Sequence, residues 1–185
     1  PVFDLTGAPL ATSPNGADSE GIAPMPDGSF WIADEYGPSL LRVDRGGRVL
    51  VRWIPEGLGA SFAGAAYPVI EALPSIAAAR KLNRGFEAIA ASPNGNNLFV
   101  AFQSPLAHPD REAHERSRHV RIWRLDAETC ILLAEYIYPL DDPDSFRRDA
   151  AIGPVRRDDI KISEIQLLPD GQLLVLERIT LSTKI

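Results

Sequence analysis

The sequence has one cysteine, Cys130, which excludes an internal disulfide and with it a small disulfide-stapled scaffold. It also has no apolar run near the roughly 18 residues that a membrane-spanning helix needs. There is no block of basic residues, and the net charge is −6, so nucleic acid is not expected as the main partner. Small molecules and cations stay open. No Gly-x-Ser-x-Gly elbow is present, which argues against a serine esterase of the α/β-hydrolase kind. The one glycine-rich stretch, Gly57 to Gly64, lacks the spacing of a dinucleotide loop. Only three histidines occur, His108, His114 and His119, in an order that matches no familiar zinc motif, and they read as loop residues. The chain opens at Pro1 with neither Met nor a charged-then-apolar leader, so this end does not report a compartment.

Proline and glycine are plentiful, and their placement organises the chain. Pro26-Asp27-Gly28, Pro93-Asn94-Gly95 and Pro169-Asp170-Gly171 each join two runs rich in Ile, Leu, Val, Phe and Trp. Asp-Gly or Asn-Gly between apolar runs is the strongest short-range hairpin signal. The first hairpin is followed by Ser39–Asp44, a tight turn at Arg45–Arg48, and Val49–Ile54, giving four antiparallel strands. The second continues through His119–Asp126 and Cys130–Leu140, and the third reaches only Leu181–Ile185. Four-stranded units repeated along a chain mark a β-propeller.

The expected fold is therefore all-β. It is a propeller fragment of two and a half to three blades, with units at about 20–56, 86–140 and 161–185 in a single domain, the remaining blades lying outside the chain. Pro1–Gly7 is a further strand candidate. Between units, Pro74–Leu82 is alanine-rich with a proline at its start and predicts a short inserted helix. The segment Asp141–Asp159 reads as a surface loop, and its Asp141–Asp144 run lacks the spacing of an EF-hand. Trp31, Trp53 and Trp123 fall within strands and are expected in the blade core.

A glutamate precedes each hairpin: Glu20, Glu87 and Glu164. If first strands line the channel, these three ring its mouth. The returning strands then bring Asp34 and Glu35 to Glu20, Gln103 to Glu87, and Glu177 and Arg178 to Glu164. Arg84 and Lys161, each three residues before its glutamate, share the same face. Gathered carboxylates repel one another and need a cation, a proton or basic partners. Calcium held by Glu20, Asp34, Glu87 and Glu164 is one solution. The competing reading makes each glutamate a fastener that hydrogen-bonds the neighbouring blade.

The segments DSEGI…PDGSFWIADEYGPSLLRVD, NRGFEAIA, SRHVRIWRLD, SFRRDAAIG and KISEI..LPDGQLLVLER resemble the phytase-like family described by the "esterase-like activity of phytase". The resemblance covers nearly the whole chain. It implies a propeller similar to calcium-dependent alkaline phytases, a small phosphoester substrate, and export from a bacterium. On that basis Glu20, Glu35, Glu87, Glu164 and Glu177 are candidates for catalysis, and Arg84, Lys161 and Arg178 for holding phosphate. Two other classes remain open. One is a metal-dependent lactonase of the gluconolactonase type, which Glu20-Gly21 also fits; the other is a non-catalytic binding or scaffold module.

Overall fold

The structure is a computed structural model that describes residues 2–3, 5–10 and 13–185. A short antiparallel pair, β1 (Val2–Phe3) and β2 (Pro9–Leu10), precedes the first blade. Pro1 and Asp4 of the expected N-terminal strand lie outside the described residues.

The first blade runs β3 (Ser19–Pro24), β4 (Phe30–Asp34), β5 (Ser39–Val43) and β6 (Val49–Pro55), each antiparallel to the last. A fifth strand, β7 (Val69–Leu73), lies parallel against β6, and the second blade then follows with four strands, each antiparallel to the last. Those strands are β8 (Phe86–Ala91), β9 (Asn97–Phe102), β10 (His119–Asp126) and β11 (Leu132–Pro139). The third sheet holds β12 (Lys161–Leu167), β13 (Leu173–Arg178) and β14 (Thr183–Lys184). The first strands β3, β8 and β12 are packed in that order, as propeller blades require. The all-β propeller architecture is thus the observed one, and among the described residues its blades form an open arc.

The expected hairpin turns close where Asp or Asn and Gly stand, with Gly28, Gly95 and Gly171 all at positive φ. Between sheets, apolar side chains fill the space. Trp31 packs on Trp53 at 4.8 Å between ring centroids, and Trp123 meets Phe102 edge-on at 5.0 Å. Trp31 and Trp123 are fully buried. Burial of such rings contributes roughly 1.5–3 kcal/mol each.

Two expectations need correction, and a third is met in shorter form: the short helix expected at Pro74–Leu82 is a 3₁₀ helix over Ser75–Ala79, ended where Arg80 turns extended and donates from Nε to the Tyr36 carbonyl at 2.9 Å. One turn does not repay helix nucleation. The first insertion also carries β7, whose parallel pairing no local pattern announced. The Asp141–Asp159 segment is partly ordered as turns at Pro143–Ser145 and Arg157–Asp159, flanking a short helix. There Phe146 and Asp149 are buried. His114 is likewise no loop residue. It lies fully buried on a helix, α1 (Arg111–Arg116), whose N-cap Asp110 accepts from the Ala113 N–H at 2.9 Å.

Candidate active site at the channel mouth

The site forms where first strands begin and second strands end. A β-bulge interrupts each first strand there, between Ser19 and Gly21, Phe86 and Ala88, and Ile162 and Glu164. The skipped residue is Glu20, Glu87 and Ser163 respectively. Hence the third unit presents Ser163 where the first two present glutamate, and Glu164 sits one position along. A one-residue slip turns a side chain to the other face. Glu164 is exposed and its Oε1 accepts only from the neighbouring Ile165 N–H, at 2.9 Å. Counting back six residues from the turn proline would have found this, since the positions are Glu20, Glu87 and Ser163.

Opposite the bulges, Glu35 and Gln103 directly follow the second strands β4 and β9, and Arg178 closes β13. Backbone hydrogen bonds chain these ends together, within a blade from Glu35 N–H to Asp18 O at 3.0 Å and from Gln103 N–H to Gly85 O at 2.9 Å, and across blades from Gly85 N–H to Glu35 O at 3.1 Å and from Ile162 N–H to Gln103 O at 2.9 Å. Gly85 makes this approach feasible, because a Cβ there would stand 2.2 Å from the Glu35 carbonyl oxygen. Gly85→Ala is accordingly expected to cost about 1–3 kcal/mol in a denaturant melt, through backbone displacement at the mouth.

Within this frame the carboxyl groups converge. Oxygens of Asp18, Glu20 and Glu35 lie within 4.8 Å of one another. Glu35 is also hydrogen-bonded to Glu87, and its carboxyl is pushed up to about 7, by burial first and then by the charges of Glu87, Glu20 and Asp18. Glu87 is raised too, chiefly by burial, although the hydrogen bond from Gln103 Nε2 opposes this. Burial and mutual repulsion thus both favour a proton held between the two carboxyls. Cations stand beside it. Arg178 reaches Glu87 Oε1 at 3.6 Å and donates from Nε to Ser163 Oγ at 2.7 Å. Arg84 donates to the Asp158 carbonyl at 3.3 Å, and Lys161 is lowered by burial and by Arg84 and Arg178. Arg84, Lys161 and Arg178 line one cleft of about 570 Å³, with Asp149, Asp159 and Thr180 across it.

Two sequence candidates belong elsewhere. Asp34 faces away from Glu35, as strand alternation requires, and its carboxylate accepts from Arg52, from Ser39 Oγ at 2.9 Å, and from the Asp18 and Gly37 N–H groups. No oxygen is left for a metal. Glu177 is a blade fastener: Tyr138 donates to it at 2.7 Å and the Asp141 N–H at 3.1 and 3.2 Å. The oxygen-rich trio that fits a hard cation is instead Asp18, Glu20 and Glu35, since Glu35 Oε1 is buried without a hydrogen-bond partner. Asp18 carried no signal in the sequence beyond lying two residues before Glu20.

Comparison with known proteins agrees with the sequence resemblance. The family profile described as "Phytase-like: Esterase-like activity of phytase" matches residues 1–183. A protein of Arthroderma benhamiae described as an uncharacterized secreted protein is 31% identical over 201 residues, covering 93% of this chain and 38% of the relative. The chain thus spans under half the length of that relative. Among solved structures, a protein of unknown function from Bacteroides caccae aligns with TM-score 0.44 and 15% identity, over 95% of this chain and 47% of that one. The PQQ-bound aldose sugar dehydrogenase of Streptomyces coelicolor aligns with TM-score 0.48 and 19% identity, over 91% and 40%.

Proposed function

Because the chain belongs to the phytase-like family described by esterase-like activity, we propose that it hydrolyses phosphoesters at the channel mouth. One observation carries the reading: three cationic side chains, Arg84, Lys161 and Arg178, line a single cleft, and Arg178 reaches from it to the buried carboxyl of Glu87. The cations bind phosphoryl oxygens, with the arginine forks fixing orientation. Without a metal, Glu35 holds a proton toward Glu87. A calcium ion held by Asp18, Glu20 and Glu35 would displace that proton, make Glu35 a carboxylate ligand and supply positive charge against the phosphoryl group, while an attacking water gives its proton to Glu87 and the leaving alkoxide takes one from solvent. Glu164 and Glu177 have no part in this scheme. The relative described as secreted supports export.

The test is an assay of the full-length protein on phosphomonoesters, phosphodiesters and lactones, with calcium and with chelator. Phosphoester turnover that chelator abolishes is expected. Glu20→Gln should lower calcium affinity and turnover together, while Arg178→Ala should raise KM by about tenfold or more. Turnover of lactones alone would instead identify a lactonase, and no turnover with unchanged calcium affinity in Glu20→Gln would leave a scaffold.

A further inference from the structure

We propose that His114 is a positioning residue for Arg84, its Nε2 lone pair receiving the Arg84 Nη1–H through a bridging water and so aiming the guanidinium into the cleft. The proposal rests on the reading of that cleft as a phosphoryl site. His114 is fully buried, and its Nδ1 lies 2.5 Å from the Pro105 carbonyl oxygen. A carbonyl only accepts, so Nδ1 carries the proton and Nε2 of the neutral ring is an acceptor. That Nε2 is buried without a partner. Arg84 Nη1 is buried without a partner too, and it only donates. Buried polar atoms are seldom left unmet, and a water between two of them is a common solution.

Placement links the two groups. Helix α1 packs on the Arg157–Asp159 turn, and the Asp158 carbonyl of that turn accepts the other Arg84 nitrogen, Nη2, at 3.3 Å. His114 and Asp158 then hold the guanidinium from its two ends, leaving its remaining edge to the cleft. The charged groups acting on the His114 ring are Lys81, Arg84 and Asp158, and burial with the two cations keeps the ring neutral to lower pH than usual. Protonation would set a second positive charge one water away from the Arg84 guanidinium and leave that water only donors to face. Arg84 would then be released.

The experiment is guanidinium ¹⁵N NMR of Arg84 in the full-length protein, with inorganic phosphate affinity measured alongside by calorimetry. Wild type at neutral pH should show resolved, slowly rotating Nη signals that collapse on acidification as His114 titrates. His114→Phe should collapse them at all pH values and weaken phosphate roughly tenfold, whereas His114→Gln, which keeps an acceptor, should restore most of both. In a cycle with Arg84→Gln, the double variant should bind phosphate no worse than Arg84→Gln alone. Additive losses, or Arg84 signals indifferent to both His114 variants in molecules that melt normally, overturn the proposal. If Arg84 responds as described while wild type binds no phosphate, the positioning role stands and the phosphoesterase reading fails.

Discussion

Asp34→Ala is expected to lower the unfolding free energy by about 3–5 kcal/mol, the largest stability loss of any site substitution considered. Asp34 and Arg52 are each about 1% exposed, and the guanidinium cannot discharge itself by losing a proton. Removing the carboxylate strands that charge in the core. Arg52 keeps its bonds to Ser39 Oγ at 2.8 Å, the Gly16 carbonyl at 2.7 Å and Tyr67 at 3.1 Å, so the blade should still assemble, at a much lower urea midpoint. Calcium affinity per folded molecule should not change, because Asp34 has no oxygen turned to the mouth. A lost calcium signal in a folded Asp34→Ala protein would return this residue to the metal set.

Glu35→Gln should do the reverse, raising stability above neutral pH while lowering turnover by about 10²–10⁴-fold. The sign follows from protonation. Glu35 titrates at about 7 in the folded protein, against 4.5 for an ordinary glutamate. Between those values the folded chain keeps a proton that the unfolded chain has released, so stability falls as pH rises across this window. Below it the two states are protonated alike. The loss from pH 4.5 to 7 should amount to about 2–3 kcal/mol, shared with Glu87, and Glu35→Gln should flatten it. Thermal melts across pH in chelator, set beside turnover, measure both effects. Opposite movement of stability and activity marks a group strained for function. A fastener such as Glu177 would lose stability with no gain at high pH.

How far these properties could be read from the chain depends on the distance over which they are set. The three hairpins were legible because Pro-Asp-Gly and Pro-Asn-Gly impose their turns within a few residues, and the apolar runs beside them pay for pairing locally. The gathering of Glu20 with Glu35, of Glu87 with Gln103, and of Arg84, Lys161 and Arg178 on one face followed from hairpin closure alone. Tertiary structure decided what local pattern leaves degenerate. Of the adjacent acids Asp34 and Glu35, only register against Ser19 and Ser39 determined which one faces Arg52 and which the mouth. The bulge before Glu164 exchanged it for Ser163, because one inserted residue reverses the face of a strand. Asp18, bonded to Asp34 and Glu35, β7, paired with β6, and His114, on a helix packed against the Arg157–Asp159 turn, owe their places to partners outside their own local segments, where packing between elements rather than the propensity of any one of them sets the outcome.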